Sequence, residues 1–220
     1  MAAPSPSSTP TPTSADDRSL PLRERKKLRT RQALAAAALR MFTERGLDAT
    51  TVEDLVDSVE VSKSTFFRTF PVKEAAAVEA EAELWAALVA ALEERALHGP
   101  VLAELQDVLC GAVTALGADW GERYVATRRL VLREPALLAH VAHHRAGAEQ
   151  RIGDLLAERL GLPADDLRPR VLAELTGTGW SIAARDWVRS GGRGGLRTLL
   201  PGVERAFLAI PAGLELSAGT

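Results

Sequence analysis

The chain has 220 residues, 46% of them hydrophobic and 25% charged, with a net charge of -2. That balance suits an ordinary globular protein of one domain, or a small domain joined to a larger one. No run of about 18 apolar residues is present, so no membrane span is expected, and the single cysteine, Cys110, cannot form an internal disulfide.

The opening stretch MAAPSPSSTPTPTSADD is rich in Pro, Ser and Thr and lacks the basic-then-apolar order of a signal peptide. Residues 1–21 therefore read as a disordered tail. Beyond it the charge divides. Residues 21–73 carry 11 Lys/Arg against 7 Asp/Glu, a net of +4, whereas residues 74–220 carry 15 against 20, a net of -5. All four lysines, Lys26, Lys27, Lys63 and Lys73, lie in the first segment. The split predicts a small cationic module carried on an acidic body.

Ala, Leu, Glu and Arg fill long stretches between Gly/Pro breaks, so an all-α chain is expected. The first helix runs from about Leu22 or Arg25 to Arg45, with Leu34, Ala38, Met41 and Phe42 on one face and Gly46 as its stop. Its opening run RERKKLRTR is either a solvated helix start or an arm reaching along nucleic acid. In TTVEDLVDSVEVS, Thr50 with Glu53, or Thr51 with Asp54, has capping-box spacing. Val52, Leu55, Val56 and Val59 then make the buried stripe of a helix of about two turns. Ser62 caps a third helix from Lys63 to about Phe70, completing a helix-turn-helix outline. After Pro71 one helix of about 25 residues is expected, ending at His98-Gly99-Pro100. Five more follow, separated at Gly117, Glu134-Pro135, Gly161-Leu162-Pro163 and the glycine-rich 191–195, for about nine in all.

The segment VSKSTFFRTF is too polar for a core and too apolar for a loop. A recognition helix needs such a mixture, because one side anchors it and the other meets phosphates and base edges. Ser62, Ser64, Thr65 and Thr69 supply hydroxyls, and Lys63 and Arg68 supply cations. Val61 and Phe70 are the natural anchors into a three-helix core, while helix phase alone does not part the buried from the exposed face of so short an element.

The run LAAAALRMFTERGLDATTVEDLVDSVEVSKSTFFRTFPVKEA resembles the DNA-binding domain of TetR/AcrR-type transcriptional regulators, from Leu34 to the start of the fourth helix. The resemblance implies a three-helix DNA-binding domain (residues 22–72) followed by a ligand-binding and dimerisation body (73–212) and a short C-terminal tail (213–220). It implies a homodimer on a palindromic double-stranded operator, an unknown small-molecule effector and a cytoplasmic protein. By family position, Lys73 and the Thr50/Thr51 helix entry would contact the phosphate backbone. The chain departs from the family pattern at three places. Glu60 stands where the turn usually has Gly, at a cost of about 1 kcal/mol if φ is positive, so the turn is expected to be reshaped. Ser64 replaces a common Gly at the start of the recognition helix. Phe67 and Thr69 replace a usual Tyr and His, and Phe67 cannot bond a phosphate but can touch a thymine methyl. By that family position, the resemblance implies that Phe66 and Phe70 anchor the helix while Phe67 lies against DNA.

In the body, Leu196, Leu199, Leu200, Val203 and Phe207 form a helical stripe, as do Leu172, Leu175, Gly179 and Ile182. Four such helices from two copies would make the dimer interface that the resemblance implies. The candidate effector-pocket residues are Trp85, Cys110, Thr114, Trp120, Tyr124, Thr127, Arg128, His140, Thr176 and Trp180, since pockets are mostly apolar with a few polar anchors. The net charge of the body leans toward a neutral or cationic ligand. His140, His143 and His144 share a helix face but have no Cys or carboxylate nearby in sequence to complete a metal site. SGGRGG lacks the Lys-Ser/Thr of a phosphate loop and reads as a linker. No activated nucleophile, cofactor motif or metal set is visible, so the sequence points away from an enzyme. The alternative is a helix-turn-helix protein of weak sequence specificity that acts through a protein partner.

Overall fold

The computed structural model describes residues 21–218, so the expected disorder of the N-terminal tail lies outside the described residues. Within that range the chain is helical. Its elements are α1 (Leu22–Arg45), α2 (Val52–Val59), α3 (Lys63–Thr69), α4 (Lys73–Ala77), α5 (Glu79–Glu94), α6 (Val101–Ala115), α7 (Trp120–Arg133), a 3-10 turn (Pro135–Leu137), α8 (Leu138–Leu160), α9 (Leu167–Arg189) and α10 (Leu196–Leu214). The basic run at residues 23–31 is the first part of α1 rather than an extended arm.

The expected long fourth helix is broken at Val78, where φ is -102° and ψ 18°. The cause is polar insertion from α7. The Glu81 amide turns to the Val78 carbonyl at 3.0 Å, leaving the Ala77 carbonyl to accept the Thr127 hydroxyl at 3.3 Å. Two residues on, the Trp120 indole N–H donates to the Ala80 carbonyl at 3.0 Å. Side chains that enter a helix ladder in this way are a recognised cause of kinks.

Two apolar clusters organise the fold. Leu34, Met41, Phe42, Leu55, Val56, Phe66 and Phe70 form one, closed from the body by Leu130, Val131 and Leu137. The other runs through α5 to α10 and includes Leu84, Leu109, Trp120, Ile152 and Trp180. Much of the apolar stripe expected at a dimer interface belongs to this second cluster. Leu199, Val203 and Phe207 are buried inside the subunit, and Leu172, Leu196 and Leu200 pack half-buried against the same core. Gly179 is buried because the Phe207 ring lies over it: a Cβ there would stand 2.7 Å from Phe207 Cε2. Leu175 is half-buried, and of the expected set only Ile182 is exposed. The two stripes were complementary to each other, and α9 and α10 pair within one chain.

Candidate nucleic-acid interface

The helix-turn-helix is built by short-range caps. Thr51 and Asp54 form the box: the Asp54 amide donates to Thr51 Oγ1 at 3.1 Å and the Thr51 amide to Asp54 Oδ2 at 2.8 Å. The Thr51 hydroxyl, 2.7 Å from Asp54 Oδ2, and then the Thr51 amide hold the Asp54 carboxyl below the usual carboxylate range. The turn is not reshaped at Glu60. Glu60 itself takes the left-handed conformation, φ 56° and ψ 44°, and is the only non-glycine among the described residues with positive φ. The following Val61 amide returns to the Val56 carbonyl at 3.0 Å. Ser62 Oγ then accepts the Thr65 amide at 3.1 Å and starts α3.

α3 has two faces. Phe66 and Phe70 are buried, their rings 6.0 Å apart, and Phe70 also carries the Arg31 guanidinium at 4.6 Å. Phe67 points the other way and is 55% exposed, touching Phe66 edge-on at 5.4 Å. Around it Ser62, Lys63, Ser64 and Arg68 are exposed. Arg68 reaches back to Thr65 Oγ1 at 3.4 Å. Lys63 is paired across the turn with Glu53 of α2, whose carboxyl the ammonium holds below its ordinary range.

Three expected contact residues occupy other roles. Thr50 is fully buried and donates its hydroxyl to the Gly46 carbonyl at 3.0 Å, because that bond completes the α1–α2 turn. Thr69 is half-buried, its hydroxyl spent on the Thr65 carbonyl at 2.8 Å. The Lys73 ammonium faces inward, donating to the Leu47 and Thr50 carbonyls at 2.6 and 2.8 Å and lying 5.8 Å from the Phe42 ring centre. It fastens the turn that leads into α2.

Arg31, which the sequence does not mark out from its basic neighbours, joins this unit to the body. Its Nη1 donates to the Thr69 carbonyl at 3.1 Å while Nη2 donates to Glu79 Oε2 at 2.7 Å. Glu79 lies at the start of α5, beside the break at Val78. Burial raises its carboxyl above the usual range in spite of the Arg31 guanidinium.

The candidate pocket residues do not converge on one cavity. Trp85, Trp120, Tyr124 and Trp180 are buried core; the Trp180 indole donates to the Tyr124 hydroxyl at 3.0 Å. Arg128 pairs with buried Glu81 at 2.8 Å, and burial raises that carboxyl. Thr127 and Thr176 satisfy backbone carbonyls. Cys110 is half-buried on α6, and burial pushes its thiol up to about 11, so it stays a thiol at neutral pH. Thr114 is exposed one turn on, and His140 is half-buried on α8. A cavity of about 680 Å³ is instead walled by Thr114, Trp120 and the glycine-rich loop between α9 and α10, which by sequence reads as a linker. Four glycines at positive φ in one loop were the available signal.

Residues 34–80 match the family described as bacterial regulatory proteins, tetR family, and residues 118–215 match the MftR C-terminal domain. Over 175 residues the chain is 36% identical to the HTH-type transcriptional regulator TcmR of Streptomyces glaucescens, covering 76% of each chain. The fatty acid degradation regulator FadR from Bacillus halodurans shares the fold, with a TM-score of 0.54 and 18% identity, covering 86% of this chain and 97% of that one. A TetR-family transcriptional regulator from Pectobacterium atrosepticum is similar at 24% identity, with a TM-score of 0.47, covering 85% and 95%. The matched family and TcmR are described as regulators, not enzymes. With a helix-turn-helix whose exposed face carries Lys63, Phe67 and Arg68, this chain belongs to the TetR family of DNA-binding transcriptional regulators.

Proposed function

We propose that the chain is a cytoplasmic homodimeric repressor, released from a palindromic operator when a small molecule occupies its helical body. The observation that carries this reading is the division of α3: Phe66 and Phe70 fix the helix from behind, so Phe67 and its polar neighbours face outward without a core to serve. In this reading Thr51, Ser62, Lys63, Ser64, Thr65, Phe67 and Arg68 meet DNA. Thr50, Thr69 and Lys73 hold the frame. Residues 22–72 act as the DNA-binding unit, residues 73–212 carry effector and partner, and residues 213–220 form a tail.

Two copies of α3 must lie about 34–36 Å apart to enter successive major grooves. The outer edges of α9 and α10 are the surface offered to the second copy. Ile182 is 49% exposed and Leu208 70%, and a groove of about 350 Å³ between the helices is lined by Asp186, Gly202 and Arg205. A ligand that favours a different spacing of the two α3 helices draws the protein off DNA.

The test combines light scattering with fluorescence anisotropy on the DNA upstream of the protein's own gene, against a scrambled duplex at several salt concentrations. A particle of twice 23.5 kDa and a preference of about a thousandfold for the native segment are expected. A monomeric mass, or equal affinity for both duplexes, refutes the reading.

A further inference from the structure

At the corner between α6 and α7 lies a cavity of about 680 Å³, within the range of about 300–1,000 Å³ typical of small-molecule sites. Trp120 and Val125 of α7, Trp187 of α9 and Leu196 of α10 supply apolar walls. The α9–α10 loop closes one side. Gly191 and Gly192 stand at φ 75° and 73°, and a Cβ on Gly192 would meet Val125 Cγ2 at 3.0 Å. The glycines thus let this backbone lie flat against α7.

Two polar groups in the wall have no side-chain partner among the described residues. Trp187 is only 5% exposed, and its indole N–H makes no hydrogen bond. Arg129 is exposed at the cavity and has no carboxylate within ion-pair distance among the described residues, although Arg123 and Arg128 on the same helix both have one. Its Nη2 reaches the loop, 3.0 Å from where a Gly191 Cβ would be. The other charged wall residue, Glu122, sits in the first turn of α7, where a helix N-terminus already favours a carboxylate. It is two turns, about 10 Å, from Arg129 along the axis.

We propose that this cavity is the effector site, and that it takes a planar, mainly apolar molecule bearing one anionic group, its rings against Trp120 and Trp187 and its charge on Arg129. The local guanidinium thereby overrides the acidic balance of the whole body. The assignment deepens the ligand-responsive reading above and rests on it for the word effector; the binding itself does not depend on DNA. Trp120 gives occupancy a route outward, since its indole is bonded to Ala80, next to Glu79 and hence to Arg31 and the end of α3.

The probes are 8-anilinonaphthalene-1-sulfonate, which carries a flat naphthalene ring and one sulfonate, and its uncharged relative N-phenyl-1-naphthylamine, titrated into the full-length protein by fluorescence. Saturable binding of both is expected. Arg129→Gln should weaken the anionic probe about tenfold, as loss of a charge-assisted hydrogen bond does, and leave the neutral one unchanged. Thr114→Trp, a filling change at an exposed wall position, should weaken both while circular dichroism and melting stay as in the wild type. Anionic-probe affinity unchanged in both folded variants, or equal weakening of both probes by Arg129→Gln, overturns the site. The saturating anionic probe should also lower operator affinity of the wild type but not of Thr114→Trp. Weakening of both alike, or of neither, overturns the effector assignment. Failure of the regulator reading would show separately, as loss of operator preference with the probe results intact.

Discussion

Arg31 and Glu79, 48 positions apart, form a bidentate ion pair that bridges the first helix of the DNA-binding unit and the first long helix of the body. The carboxylate is nearly buried and the guanidinium also holds the Thr69 carbonyl at the end of α3. Removing the cation strands a buried charge, which costs more than the pair contributes. Arg31→Met should therefore destabilise the protein by about 2–4 kcal/mol and weaken DNA binding, whereas Glu79→Gln, which keeps an acceptor, should cost less. Urea unfolding of both variants and the double mutant checks this; additive losses would show that the two residues act separately.

The phenylalanine pair separates anchoring from recognition. Phe66→Ala removes a fully buried ring and should cost about 3–5 kcal/mol. Phe67→Ala should change stability by no more than about 0.5 kcal/mol yet lower operator affinity, most of all for sites with a thymine at the contacted position. Thermal melting alongside anisotropy distinguishes the two. Equal operator affinity for wild type and Phe67→Ala would place Phe67 outside the contact.

Lys63 is held by Glu53, so the cation at the head of α3 is partly neutralised before DNA arrives. Glu53→Gln should tighten DNA binding and steepen its salt dependence. Lys63→Ala should weaken binding and reduce the salt slope by about one, with helical content unchanged. Slopes that do not move in either variant would remove the pair from the phosphate contacts.

Glu60 sits in the left-handed region, where a side chain costs about 1 kcal/mol relative to glycine. Glu60→Gly should raise the melting temperature by about 2–4 °C for each kcal/mol of strain relieved. A lower melting temperature would mean that glycine's extra freedom in the unfolded chain outweighs the strain.

Glu81 is buried against Arg128, and burial raises its carboxyl above the ordinary range. A carboxyl raised on folding favours the native state below its unfolded value and withdraws that contribution as pH rises through the folded value. Glu81→Gln has no such proton to lose. The melting temperature of the variant should therefore gain on that of the wild type as pH is raised from about 4, the ordinary carboxylate range, toward neutrality. A constant difference across that window would contradict the raised value.

Much of the DNA-binding unit is legible along the chain because its determinants are local. The Thr51–Asp54 box and the Ser62 cap span three residues each, and the apolar period of α1 and α2 points to their buried faces. The periodicity of residues 62–70 could not by itself separate Phe66 from Phe67 in so short a helix. The packing of α3 against α1 and α2 did that.

What the sequence determined on its own was therefore the helical class, the Ser62 cap and the basic character of one unit, all set by residues close together along the chain. Tertiary structure decided where those elements meet. It turned Lys73 onto the Leu47 and Thr50 carbonyls, 26 and 23 positions away, broke the long helix at Val78 with side chains from α7, and matched the stripe of Leu199, Val203 and Phe207 to its own subunit. It also folded a glycine loop into the wall of a cavity. An apolar stripe specifies that something must cover it, not which helix does, and a cation's partner depends on which carbonyls the fold leaves unpaired within its reach.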